Sequence, residues 1–225
     1  DVAHELKNPL ASVRSAIETL PKVEDKEKRE QLLKIIHDDV NRLDRLITDI
    51  SAISRLDAEL SRLEHKKINL GEFLSRLVDS YHERLGNETA VTLRNKLFVN
   101  NAFINANEGR IGQLFSNLIH NALSFATDKT PVIVRIENTA FVVRVYIENK
   151  GIAIPENKLE TIFERFYSQR PDSEKFGSHS GLGLNIAKLI VGLLGTEFEV
   201  ESPWHEDGSS GTRFYFTVPS VQVPA

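Results

Sequence analysis

Cysteine and methionine are both missing from these 225 residues. Without thiols there is no disulfide, no thiolate nucleophile and no Cys-based zinc site, a pattern that fits a reducing compartment. No apolar run approaches the ~20 residues that a helix needs to cross a bilayer, and the first residues of this stretch are not expected to act as a signal peptide. The formal net charge of −4 is of the wrong sign for a general binder of nucleic acid or anionic membrane surface. Internal repeats and low-complexity tracts are also lacking. What is present is an ordinary globular balance, 40% hydrophobic and 27% charged, on a chain long enough for one or two domains. The first residue is Asp and no Met occurs, so a piece of a longer protein is expected.

Helical patterning dominates the start. Leu6, Leu10, Val13, Ile17 and Leu20 recur at spacings of four and three, the seam of a packed helix. Pro21 and the charged stretch Lys22 to Lys28 interrupt it. Leu33, Ile36, Val40, Leu43, Ile47 and Ile50 then repeat the spacing. Two such helices joined by a short loop form an αα-hairpin, and one hairpin cannot bury both seams well. Pairing with a second copy into a four-helix bundle is the natural solution, so a homodimer is expected. The apolar seam fades from Arg55 to Lys67, which reads as an interdomain linker. Beyond Ile68 the texture is mixed. "INLGEFLSRLVDSY" reads as a short strand leading into a helix, "AVTLRN" and "AFINAN" as strands, and Ile111 to Phe125 as an amphipathic helix. "VIVRIENTAFVVRVYIEN" reads as two strands about a polar turn, and "TEFEVES" with "TRFYFTVP" as a hairpin. The fold class expected is α + α/β: a helical hairpin (residues 1–57), a linker (58–67), a two-layer α/β sandwich with mostly antiparallel strands (68–219) and a short tail (220–225).

"HELKNP", from His4 to Pro9, is the most informative hexapeptide. At ~100° per residue His4 lies about 200° from Leu6, on the face turned away from the seam. Asn8 shares the face of His4, and Glu5 is adjacent. A neutral imidazole nitrogen is a capable nucleophile, and a neighbouring carboxylate can orient it and take its proton. On the residues alone, a nucleophile and an ordinary solvated histidine stay equally open.

The hexapeptide resembles the H-box of the sensor histidine kinases of two-component systems, and its place at the start of a helical hairpin is similar too. That resemblance implies that His4 accepts the γ-phosphoryl group of ATP, that Glu5 assists the transfer, and that Asn8 supports dephosphorylation of a partner. Pro9 would kink the helix just after the site.

Further motifs follow in the same family's order. "NLIHNA" resembles the N-box; Asn117 and Asn121 stand at i and i+4, facing the same way, and Asn121 is the candidate Mg²⁺ ligand. "ENKGIAIP" resembles the first glycine box. Its usual Asp, which accepts a hydrogen bond from the adenine amino group, is Asn149 here; its second glycine is Ala153, while Gly151 is retained. "IFERFY" resembles the F-box, with Phe163 and Phe166 as anchors of a lid over ATP. "SGLGLNIAK" resembles the second glycine box, in which Gly181, Leu182, Gly183 and Leu184 bring backbone close to the phosphates where a helix begins. His179 stands where glycine is common, and Ser124 where a basic residue is common. A phosphate-neutralising side chain must then come from elsewhere, with Arg165 and Arg170 the candidates. "GTRF", from Gly211 to Phe214, resembles the last glycine-containing turn.

No GxxxxGK[ST] loop and no HRD or DFG segment offers another way to hold a nucleotide. Gyrase and the mismatch-repair ATPases share the N-box and glycine boxes but lack the hairpin with "HELKNP". The details "NALSFA", "ERFYSQRP" and "HSGLGL" look closest to ChvG-type bacterial envelope sensor kinases. The resemblance implies a catalytic core that uses ATP and Mg²⁺, autophosphorylates on His4 and passes the phosphoryl group to an Asp of a response regulator. It implies no nucleic-acid partner. It places these residues on the cytoplasmic side, held to the bacterial inner membrane through segments not in this chain. The rival is a degenerate kinase, a dimeric scaffold or regulator phosphatase that binds nucleotide weakly, motivated by Asn149 and Ala153.

Overall fold

The structure, a computed structural model, describes residues 2–59, 64–86, 90–97, 102–127, 130–165, 167, 181–204 and 210–221. It divides into two compact units: Asp1–Ala58 with Glu164–Gly183, and Glu59–Phe163 with Leu184–Ala225.

The first unit is built on helices α1 (Val2–Thr19) and α2 (Lys26–Glu59). A short 3₁₀ turn, Leu20–Lys22, carries Pro21 in its opening turn and separates them. Asp25 starts α2: its side chain accepts from Lys28 N at 3.0 Å and its carbonyl accepts from Arg29 N, meeting donors that a helix start otherwise leaves unpaired. Pro9 lies inside α1, where it cannot donate to the carbonyl of Glu5; the helix runs on through it. α2 continues to Glu59, beyond Arg55 where the apolar seam fades, because Arg, Leu, Ala and Glu keep helical propensity high. Burial along the seams alternates. Leu6, Val13 and Leu20, and Ile36, Leu43 and Ile50, are half-buried. Leu10, Ile17, Leu33, Val40 and Ile47 are exposed.

The second unit holds a five-stranded sheet in the order β2-β4-β5-β7-β6, formed by β2 (Val91–Leu97), β4 (Val132–Asn138), β5 (Val142–Lys150), β6 (Phe198–Glu201) and β7 (Gly211–Pro219). β2 and β4 run parallel; every other pairing in it is antiparallel. A separate two-stranded sheet joins β1 (Lys66–Asn69) to β3 (Phe103–Ala106). The helices are α3 (Leu70–Leu85), α4 (Glu108–Phe125) and α5 (Gly183–Leu193). Asn69 caps α3 reciprocally with Glu72, and Gly86, at φ 61°, ends it, a conformation that glycine adopts without steric cost.

Strand alternation sorts the sheet's two faces. Val143, Val145 and Ile147 of β5, with Phe214, Phe216 and Val218 of β7, are fully or nearly fully buried. They share that core with Ile111, Leu114, Phe115, Leu118 and Ile119 of α4, which packs on β5 and β4. Phe115 sits between Phe73 and Phe216, with ring centroids 6.4 and 6.1 Å away. The opposite face carries charge: Arg135, Glu137, Tyr146, Glu148, Arg213 and Tyr215.

Candidate functional site

Asn149 is the last side chain of an apolar row. It continues Val143, Val145 and Ile147 along β5, so period-two alternation turns it to the core face. In the ladder it stands opposite Thr212, which closes the row of Phe214, Phe216 and Val218 on β7 in the same way. Two polar residues therefore finish the core at one end of the sheet. Asn149 is 3% exposed, and its Nδ2 is enclosed without a hydrogen-bond partner. A buried amide left so costs on the order of 1–3 kcal/mol, which marks it as a group that a ligand can satisfy.

Glycines allow the backbone to close around it. A Cβ on Gly151 would lie well inside van der Waals contact with the Phe125 carbonyl oxygen, and one on Gly211 would meet the Asn149 carbonyl. Gly151 is thus required by a close approach: Ala126 bridges to it, and Thr127 N donates to Lys150 O at 2.8 Å. These contacts tie the end of α4 to the end of β5. Ser202 holds the other side. Its Oγ accepts from Ile154 N at 2.8 Å and lies 3.0 Å from Thr212 Oγ1. Beneath Asn149, on the charged face, Glu148 is 1% exposed and is gripped by Arg135 and Arg213, the latter at 2.9 Å. Burial by itself would lower the Arg135 pKa, but its hydrogen bond and charge interaction with Glu148, helped by Glu137, outweigh this and raise it above the ordinary arginine value. The guanidinium is held charged, and the ion pairs lock β4, β5 and β7 together directly under the site.

On α4, Asn117 and Asn121 flank the apolar stripe of Leu114, Leu118 and Ala122, and both are half-buried. Asn117 Nδ2 is a second enclosed amide without a partner. A third unpaired atom was not anticipated from the sequence. Asn185 of α5 donates from Nδ2 to Phe163 O at 2.9 Å, which leaves its buried Oδ1 unmet. Phe163 is 7% exposed and packs edge-on against Phe198 and Phe214, at 5.3 and 6.3 Å. Lys188 Nζ lies 5.0 Å from its ring centroid. Phe163 is therefore fixed in an aromatic cluster. Gly181 has φ 69°, a left-handed conformation that favours glycine. Leu182 is fully buried, and Gly183 and Leu184 open α5, both half-buried.

Asn8 is exposed on α1. His4 and Glu5 lie in its first turns by backbone, while their side chains fall outside the described residues. So do Phe166, Arg170 and His179. Arg165 is exposed. Among the described residues no group of three or more His, Cys, Asp or Glu could hold a metal ion. A divalent ion here would take most of its ligands from phosphate and water, with carboxamide oxygen as the protein's share.

Comparison with known proteins decides the family. Residues 106–222 match the histidine kinase-, DNA gyrase B- and HSP90-like ATPase family, and residues 1–59 match the His Kinase A (phospho-acceptor) domain. The chain belongs to the sensor histidine kinases. It is 42% identical to the sensor protein ChvG of Rhizobium meliloti across its full length and 40% identical to that of Agrobacterium fabrum across 99% of it. It spans 40% and 39% of those two relatives. Among solved structures, histidine kinase ThkA in complex with the response regulator TrrA aligns at TM-score 0.72 and 26% identity, covering 98% of this chain and 60% of that one. Acinetobacter baumannii AdeS aligns at TM-score 0.69 over 97% of this chain and 98% of its own; at 17% identity it speaks to the fold alone. The hairpin followed by an α/β sandwich is thus the histidine kinase arrangement.

Proposed function

We propose that this core binds ATP at the end of the sheet marked by Asn149 and transfers its γ-phosphoryl group to His4. The observation that carries the nucleotide half is the set of carboxamides on Asn117, Asn149 and Asn185, each with one enclosed atom that the protein leaves unpaired: polar groups held in this way suit a polar ligand. In this reading the carbonyl oxygen of Asn149 accepts from the adenine amino group, and Gly151 permits the tight backbone beside it. Gly181, Leu182, Gly183 and Leu184 form the phosphate-side backbone at the start of α5, with Phe163 and Phe166 anchoring the lid. Asn117 and Asn121 serve the phosphates, and Asn121 offers its oxygen to Mg²⁺, which would neutralise phosphate charge. A nitrogen of neutral His4 attacks the γ-phosphorus, its bond to the bridging oxygen breaks, ADP leaves, and Glu5 takes the imidazole proton. Positioning supplies most of the acceleration in such transfers. The phosphohistidine then passes its group to a carboxylate of a response regulator docked beside His4, and Asn8 supports the later hydrolysis of that acyl phosphate, which releases inorganic phosphate and restores the carboxylate.

The dimer belongs to the same proposal. The exposed residues repeat at sevens, Leu10 and Ile17 on α1 and Leu33, Val40 and Ile47 on α2. A stripe with that period is the seam of a second helix pair. Incubation with γ-labelled ATP and Mg²⁺ tests the reaction. Acid-labile label on the parent and none on His4→Ala is the expected result; equal label on both would refute His4 as acceptor.

Asn149 and Ala153 keep one second reading in play, a dimeric scaffold or phosphatase with a weakened nucleotide site. Titration with a nucleotide analogue separates the two, since a scaffold shows no Mg²⁺-dependent saturation.

A further inference from the structure

Asn149 differs from the family's usual Asp by one atom, and its surroundings give that atom a consequence. A carboxylate presents only acceptors. A carboxamide presents a carbonyl oxygen or an NH₂ group from nearly the same volume, depending on a half-turn of its last torsion. Which end faces outward is normally fixed by protein partners. Here none does so: Nδ2 has no partner. The cross-strand neighbour Thr212 is engaged with Ser202 instead, at 3.0 Å. Glu148, next in sequence, is committed to Arg135 and Arg213. Among the described residues, turning the amide breaks no hydrogen bond made by Nδ2.

We infer that Asn149 makes the base site tolerant of 6-oxopurines, so that inosine triphosphate binds with an affinity close to that of ATP. This rests on the nucleotide-binding reading above and names the base specificity of that same site. With oxygen outward the amide accepts from the 6-amino group of adenine; with nitrogen outward it donates to the 6-oxo group of hypoxanthine. The two bases also differ at ring N1, which bears hydrogen only in hypoxanthine. Thr212, opposite Asn149 on β7, and its hydrogen-bond partner Ser202 carry hydroxyls, which can donate or accept, so neither brings a fixed charge that selects one base. An Asp at 149 would set a buried charge against the 6-oxo acceptor, leaving both unpaired.

The test uses the 225-residue chain with Mg²⁺ and displaces a fluorescent trinitrophenyl-ATP probe with ATP, inosine triphosphate, and purine riboside triphosphate, which has no 6-substituent. Inosine triphosphate should bind within about tenfold of ATP. Both should bind about threefold to tenfold better than the unsubstituted purine, the worth of one neutral hydrogen bond. In Asn149→Asp, inosine triphosphate should lose about tenfold or more relative to ATP. A parent that prefers ATP over inosine triphosphate by about 100-fold, well beyond the worth of one such bond, overturns the inference, as does an unchanged ratio in the variant. Displacement by ATP alone sinks this inference and leaves nucleotide binding standing, whereas a probe that never binds sinks both. Should Asn149→Asp fail to fold, the three-nucleotide comparison on the parent decides.

Discussion

In the sandwich, apolar residues find partners within the chain; in the hairpin, about half of the seam finds none among the described residues. Phe115, Leu118, Ile136, Ile147, Phe214 and Phe216 are shut from solvent by the sheet and helices of their own unit, whereas Leu10, Ile17, Leu33, Val40 and Ile47 stand at about half exposure, between 48% and 60%. Both regions are written in similar apolar residues. The difference lies in geometry: a sheet covered by helices closes its own core, while a lone helical pair presents a second stripe that nothing among the described residues covers. Stability in one region should therefore be a property of the monomer, and in the other a property of concentration.

The largest expected effect tests the closed core. Phe115→Ala removes the ring between Phe73 and Phe216 and should destabilise the ATP-binding domain by about 3–5 kcal/mol, read from its urea midpoint. A loss below about 1 kcal/mol would mean this core is less closed than its burial indicates. Ile47→Asp tests the open stripe. At 57% exposure it should change monomer stability by no more than about 0.5 kcal/mol. In a symmetric dimer the loss counts twice, so dissociation should rise about 100-fold. Sedimentation measures it, and an unchanged association would break the comparison at its weaker side.

Gly151→Ala probes how tightly the site end of the core is drawn. The added carbon meets the Phe125 carbonyl, so α4 and β5 must part, at about 1–3 kcal/mol, and probe nucleotide binding should fall with it. Normal binding in a stable variant would show that this approach does not shape the site. The smallest change is a control. Gly192 lies in α5 with open space where a Cβ would go, so Gly192→Ala should stabilise the same domain by about 0.5–1 kcal/mol. Two glycine substitutions of opposite sign in one domain sharpen the claim that packing, not composition, decides.

Much of this was legible from residues alone. Period-two runs located β4, β5 and β7, and the four-three seams located α1 and α2, because side-chain periodicity follows directly from burial on one face. "AVTLRN" and "AFINAN" were legible as strands, yet nothing local says that the first joins the large sheet parallel to β4 while the second pairs with β1 in another sheet. Strand pairing is a contact between distant segments and leaves no local signature beyond hydrophobicity. Asn117, Asn121 and Asn149 were singled out by motif. Asn185 was not, although it stands in the same "SGLGLNIAK" stretch, because its importance comes from a bond to Phe163 O. Ser202 and Thr212 were missed for the same reason: their hydroxyls meet only once β6 and β7 pair.

By itself the sequence determined the chemistry on offer: a histidine and a carboxylate at a helix start, carboxamides at spacing four, glycines beside them, and no thiol anywhere. It also determined which faces had to be covered, since burial of apolar area sets the helix and strand periods. Tertiary structure alone decided that Asn149 finishes an apolar row as a buried amide whose Nδ2 has no partner among the described residues, that Gly151 must lack a side chain because a carbonyl from α4 reaches it, and that Glu148 beneath is locked by two arginines. These are facts about what surrounds a residue after distant strands and helices meet, and a carboxamide's function follows from its surroundings more than from its identity.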